Sequence, residues 1–221
     1  MAYITYEDIR KNDEIRTYIR QADQTLTAMG FTEHSYAHVT RTAETAGALL
    51  KALGYPEREV ELARIAGYMH DIGNVVNRKD HAHTGAVMAF RILDKLGMPP
   101  AEVAAVIAAI GNHDESDGHP ISAISSALIL ADKSDVRRSR VRGSNTLEFD
   151  IHDRVNYAVQ DAQLVTRPEE NALVLQMNID TTICPVMDYF EIFLGRMLLC
   201  RKAAEFFSLR FKLEINGQML L

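Results

Sequence analysis

Ala63-Arg64-Ile65-Ala66-Gly67-Tyr68-Met69-His70-Asp71 is an apolar helical run that delivers a histidine and an aspartate at its C-terminal end. Pro56-Glu57 opens it, since proline lacks the amide hydrogen that a first helical turn leaves unpaired anyway. Spaced histidines at His38, His81 and His113, with a later Ala131-Asp132-Lys133, surround the doublet in sequence. Imidazole nitrogens and carboxylate oxygens converging from separate helices can replace most of the hydration shell of a divalent transition metal. A metal-dependent hydrolase is the leading expectation from these residues alone.

The same periodicity extends in both directions. Thr5 and Asp8 form a capping-box pattern that opens a first helix running to about Met29 and stopping at Gly30. A second begins near Ser35, turns Ala43, Ala46, Leu49, Leu50 and Leu53 inward, and ends at Gly54. Downstream of the doublet, helices are predicted from His81 to Leu96 and from about Ala101 to Asn112, the latter presenting His113. Asp114 to Pro120 reads as a loop, and Ile121 onward returns to helix through Asp132. Helical patterning dominates as far as about Asp161.

From Asn171 the period changes to two, with Leu173, Leu175, Met177 and Ile179 alternating as in a strand with one buried face. A helix from about Pro185 to Phe207 follows, and Phe211, Leu213 and Ile215 alternate again before a turn at Asn216-Gly217 and the ending Met219-Leu220-Leu221. The aromatic group Tyr189, Phe190, Phe193, Phe206 and Phe207 is expected to seal that helix against the small sheet. The fold class is therefore mainly α, a helical bundle over residues 1–165 with a small α+β appendage of two or three strands over residues 166–221.

A chain of 221 residues with 47% apolar and 24% charged composition can bury a core without disulfides. Its formal charge of −6 argues against a nucleic-acid polymer as partner. Met1 to Asp8 lack the basic and apolar stretches of a secretory signal, and no segment has the apolar length to span a bilayer, so a cytoplasmic protein is expected. Cys184 and Cys200 stand alone in apolar surroundings and read as reduced core residues. Exposed strand edges in the appendage suggest a homodimer.

The ordered pattern His38, His70-Asp71, Asp132 resembles the HD-domain superfamily of metal-dependent phosphohydrolases over roughly residues 30 to 140. His38-Val39-Thr40-Arg41-Thr42-Ala43 is similar to the opening of the family's first histidine helix, and Ala131-Asp132-Lys133 to its closing motif. His81, four residues before Gly85, and His113 resemble the additional histidines of branches that hold two metals. The layout His113-Asp114-Glu115-Ser116-Asp117-Gly118-His119-Pro120 is similar to the loop of cyclic-dinucleotide phosphodiesterases, but Asn112 and His119-Pro120 depart from that branch's pattern. The small bacterial members that cleave dinucleoside polyphosphates are a nearer analogy, although the appendage after Asn171 is not part of their layout. The resemblance implies hydrolysis of a phosphoester or phosphoanhydride in a small, nucleotide-like substrate.

Two cations roughly 3.5–4 Å apart can neutralise phosphate oxygens while acidifying a shared water. Asp71 is the natural bridge, with His38, His70 and Asp132 completing one sphere and His81 with His113 the other, so His70 and Asp71 are catalytic candidates and attack by a metal-bridging hydroxide is the expected mechanism. Imidazole and carboxylate ligation suits one or two ions of manganese, iron, cobalt, nickel or zinc, with magnesium admissible at the second position. If the helix holding Asp132 continues, Lys133, Arg137 and Arg140 share a face and can grip substrate phosphate, Lys133 also serving catalysis. The competing account of these arginines is a solvated face paired with Asp135 and Glu148. His83 is the alternative to His81, His34 and His119 are candidates for lining the pocket, and His152-Asp153 repeats the doublet's letters by chance. Two other functions fit the same residues: a regulatory module that senses a nucleotide without turning it over, and a di-iron oxygenase.

Overall fold

The computed structural model describes residues 3–142 and 151–220. Its helices begin with α1 (Tyr6–Lys11), α2 (Asp13–Ala28), α3 (Tyr36–Ala52) and α4 (Glu57–Met69). They continue with α5 (His81–Lys95), α6 (Pro100–Gly111) and α7 (Ala123–Lys133). After α8 (Ile151–Ala158) come β1 (Val159–Arg167), β2 (Ala172–Ile179), α9 (Val186–Phe206), β3 (Arg210–Ile215) and β4 (Gln218–Met219). Glu148, Met1, Ala2 and Leu221 lie outside the described residues.

The capping box at Thr5 forms as the sequence suggests, but the single first helix divides at Asn12. That side chain accepts from the Ile15 amide at 3.1 Å, so Asn12 ends α1 and caps α2 instead of continuing a common helix. Ser35 caps α3, and α4 begins after Pro56 as expected.

The bundle is built around α4, which is buried on nearly every side from Val60 to Met69. Its crossing with α3 depends on small residues: a Cβ at Gly67 would lie 2.7 Å from the Ala43 Cα, closer than packed atoms approach. At the end of α4 the backbone leaves the helix through Asp71, with φ −98° and ψ 2°, and enters a buried 3₁₀ turn, Ile72–Val75. His70 and Asp71 are thereby pointed out of a rigid helix end into the bundle interior.

The appendage is a sheet of order β1-β2-β3-β4. β2 pairs antiparallel with β1 and parallel with β3, and α9 is the crossover that a parallel pair requires. Asn216 and Gly217 take positive φ of 51° and 76°, the hairpin geometry that this dipeptide favours, and β4 pairs back on β3. β1 has no counterpart in the sequence reading, which carried the helical pattern to Asp161 and expected two or three strands. The stretch Val159 to Arg167 mixes apolar and polar residues without clean alternation, and its strand state comes from pairing along β2. β2 itself is buried on both faces at Ala172, Leu173, Val174 and Leu175, because it is an inner strand.

Tyr189 and Phe193 are fully buried on α9 and Phe190 and Phe207 pack against the core partly buried, whereas Phe206 is 43% exposed. Cys184 and Cys200 are free and buried. Among the described residues no helix is long and apolar enough to cross a membrane.

Candidate metal centre

Six side chains from distant stretches of the chain meet at the middle of the bundle: His38, His70, Asp71, His81, His113 and Asp132. Each comes from the end of an element or the turn beside it. His38 sits in the first turn of α3, His70 and Asp71 follow α4, His81 opens α5, His113 follows α6, and Asp132 lies in the last turn of α7. Side chains that project inward from several facing helices can address one point in a bundle core.

Three overlapping groups of potential ligand atoms each lie within 4.8 Å of one another: His38, His70 and Asp71; His70, His113 and Asp132; and Asp71, His81 and His113. Asp71 belongs to two of them, with Oδ2 3.5 Å from His38 Nε2 and 3.2 Å from His70 Nε2, and Oδ1 3.6 Å from His81 Nε2. His38 Nε2 is also 3.4 Å from Asp132 Oδ1.

The far side of every ring fixes its orientation. The Nδ1 of His70, His81 and His113 meets the carbonyl oxygens of Gly67, Arg78 and Ile110 at 2.7, 3.0 and 2.6 Å, and the Nδ1 of His38 meets Asp135 Oδ2 at 2.7 Å. All four partners are acceptors, so each Nδ1 carries the hydrogen and each Nε2 is the atom left for the centre. Two pairs of Nε2 then face each other, His38 with His70 at 3.3 Å and His81 with His113 at 3.2 Å.

Burial pushes His81 down and His113 down to about 3, with the cations nearby adding to the effect on both. Their facing nitrogens are therefore two bare lone pairs. Burial also opposes charge on His70, but Asp71 and Asp132 outweigh it and lift the imidazole to about 10. Asp71 and Asp132 are held well below the usual carboxylate range despite burial, Asp71 chiefly by His70 and Asp132 chiefly by Lys133. Asp71 Oδ2, although buried, has no aligned hydrogen-bond donor. Opposed lone pairs and an orphaned carboxylate oxygen are a donor set that a divalent cation satisfies and that protein hydrogen bonds do not.

Asp135 was read from sequence only as an arginine partner. Buried behind His38, it is held by Arg41 at 3.2 Å and Arg137 at 2.9 Å. Asp135→Ala is expected to weaken metal affinity by about 10–100-fold, as loss of a ligand's outer partner typically does. Metal titration of the folded variant measures it.

α7 ends at Lys133, so the continuous helical face proposed for Lys133, Arg137 and Arg140 does not exist. Ser134 caps the helix, the chain extends at Arg137, and a 3₁₀ turn follows. Arg137 turns back to Asp135 and to Glu33 at 2.9 Å. Arg140 is buried and donates to the Glu33 and Asp135 carbonyls at 2.9 and 2.8 Å, at the wall of the space over the cluster. Lys133 Nζ lies 2.8 Å from Asp132 and 2.7 Å from Glu115. His83 is exposed beside Asp117, outside the cluster, and His119 is also exposed.

That space opens into a cavity of about 440 Å³ lined by Phe31, His34, Arg78, Arg140, Phe193 and Arg196. The sequence reading found Arg140 and His34 but not Arg78 or Arg196. Arg78 was in plain view three residues before His81, where one turn brings them to one site. Arg196, on α9, carries no local signal. A second groove of about 500 Å³, between α3 and β1, contains none of the six cluster residues.

The family model for the HD domain matches residues 35–139. Among curated proteins, the chain is 24% identical over 106 residues to an uncharacterized protein of Methanocaldococcus jannaschii, covering 41% of each chain. It thus spans well under half the length of that relative. Among solved structures, a protein described as a predicted HD superfamily hydrolase from an uncultured Thermotogales bacterium is 28% identical, with a TM-score of 0.45, over 56% of this chain and 67% of that one. The matched span holds His38, His70, Asp71, His81, His113 and Asp132, the six residues that the fold gathers at its centre. This chain therefore carries an HD domain over residues 35–139.

Proposed function

We propose that this protein hydrolyses a phosphoester or phosphoanhydride of a small, nucleotide-like substrate, using one or two divalent transition-metal ions held by His38, His70, Asp71, His81, His113 and Asp132. The observation that carries this is the orphaned Asp71 Oδ2 beside the facing, bare Nε2 atoms of His81 and His113. Mixed nitrogen and oxygen ligation favours manganese, iron, cobalt, nickel or zinc over calcium. When bound, such ions supply Lewis acidity that offsets phosphate charge and makes water a better nucleophile near neutral pH.

The chain's own groups do the remaining work. Arg78 and Arg140 stand at the wall with N–H donors for phosphate oxygens, a geometry to which guanidinium is well suited. His34 Nδ1 donates to the Thr32 carbonyl at 2.7 Å, and burial holds the ring well below its ordinary pKa. Its Nε2 is thus an acceptor for a substrate hydroxyl or a water. Phe31, 39% exposed, gives the mouth an apolar surface suited to a base or another flat group.

Protein stripped by chelation and reloaded separately with each ion tests the proposal in a phosphate-release screen over mononucleotides, dinucleoside polyphosphates and cyclic dinucleotides. Release from at least one class is expected, lost on chelation and recovered on reloading. Ion uptake without release from any of them would defeat it.

A further inference from the structure

Glu115 stands in the loop between α6 and α7, and its carboxylate makes two charged contacts: Oε2 to Lys133 Nζ at 2.7 Å and Oε1 to Arg196 Nε at 3.1 Å. Lys133 is buried and also touches the cluster aspartate Asp132. Arg196 comes from the other end of the chain, stacked with its guanidinium 4.4 Å above the Phe193 ring, and lines the space over the cluster beside Arg78 and Arg140.

Two cations that repel each other have been brought to one point, and a carboxylate lies between them. A carboxylate bridging an ammonium and a guanidinium presents two oxygens to donors much as a phosphate would. Its carrier is a connection between helices, whereas Lys133 is the buried last residue of α7 and Arg196 lies in the middle of α9. The partner that can withdraw is therefore the anion.

Resting on the proposed role of the adjoining cavity as the substrate site, the geometry points to Glu115 as an internal stand-in for a substrate phosphate. Lys133 and Arg196 are the ligands that receive that phosphate once the carboxylate swings out. The appendage thereby becomes part of substrate recognition, because α9 supplies one of the two cations. Arg196 is a specificity residue for a multiply charged phosphate group over a neutral ester, while Glu115 sets an affinity threshold that only a multiply charged ligand overcomes.

The test is calorimetric titration of the protein as purified with inorganic phosphate. Glu115→Gln removes the competitor and is expected to bind phosphate about tenfold more tightly than the parent. Arg196→Gln removes a ligand and is expected to bind about tenfold more weakly, the scale of one charge-assisted hydrogen bond. Glu115→Asp, which keeps the charge but shortens its reach, should shift affinity in the same direction as Glu115→Gln and serves if the glutamine variant does not fold.

A plain structural tie between loop and α9 makes the opposite demand, that breaking it from either side weakens binding alike. Weaker, unchanged or undetectable phosphate binding by folded Glu115→Gln or Glu115→Asp overturns the assignment. Turnover of a phosphate compound with unshifted phosphate affinity rejects the stand-in and keeps the hydrolase. The stated shifts without turnover of any compound do the reverse.

Discussion

Asp71→Asn is expected to abolish both ion uptake and phosphate release, the largest functional loss of any single change in this protein. The substitution preserves volume, and the Asn74 Nδ2 contact at 2.8 Å can still find an oxygen. What disappears is the charge shared by two of the three overlapping ligand groups. Losing an outer partner of a metal ligand already costs about 10–100-fold in affinity or activity, so losing the shared carboxylate should exceed the upper end of that range.

A second readout is independent of turnover. A ligand at about 100 times its dissociation constant stabilises a folded protein by ~2.7 kcal/mol. In a domain of this size that corresponds to a rise in melting temperature of roughly 5–10 °C. The parent should show this rise on ion addition and Asp71→Asn should not. A variant that keeps the rise, or keeps more than about a tenth of the activity, would remove Asp71 from the centre.

Gly73→Ala is expected to be the most destabilising small substitution near the site. Gly73 lies in the 3₁₀ turn after the doublet, where a Cβ would fall 2.1 Å from the His81 carbonyl oxygen and 2.5 Å from the Gly85 amide nitrogen. Both obstacles are backbone, so no side-chain rotation relieves the clash. Overpacking typically costs about 1–3 kcal/mol and occasionally more, and a clash against helix backbone belongs at the top of that range.

Relief requires α5 to shift at its first turn, which moves His81 away from His113 and Asp71. Gly73→Ala should therefore lower the denaturation midpoint and also reduce ion binding in whatever fraction folds. Chemical denaturation with and without the ion separates the two effects. A fully stable variant with ordinary ion affinity would mean that the contact between this turn and α5 is looser than the geometry indicates.

Most of the helical elements and the central residues were legible because their signals are local. A capping serine at Ser35, a proline at Pro56, an alanine-rich stretch before His113 and the glycines Gly54 and Gly97 mark helix limits within a few residues of the chain. Asn12 was missed because an asparagine inside an amphipathic pattern is locally compatible with continuing or ending a helix. β1 was missed because its strand state is supplied by β2. The arginine face after Asp132 failed since nothing local says that α7 stops at Lys133. Beyond that end Asp135 turns inward to meet His38 Nδ1 and Val136 is buried.

The amino-acid sequence by itself determined which imidazoles and carboxylates the fold would gather, because their spacing placed them at helix ends. Only the tertiary structure decided how they are served: Asp135 behind His38, Arg78 and Arg140 at the wall, and Glu115 between Lys133 and Arg196. The physical reason is range. A helix end is written in a few neighbouring residues, whereas the meeting of a guanidinium on α9 with a loop carboxylate some eighty positions earlier depends on how whole elements pack.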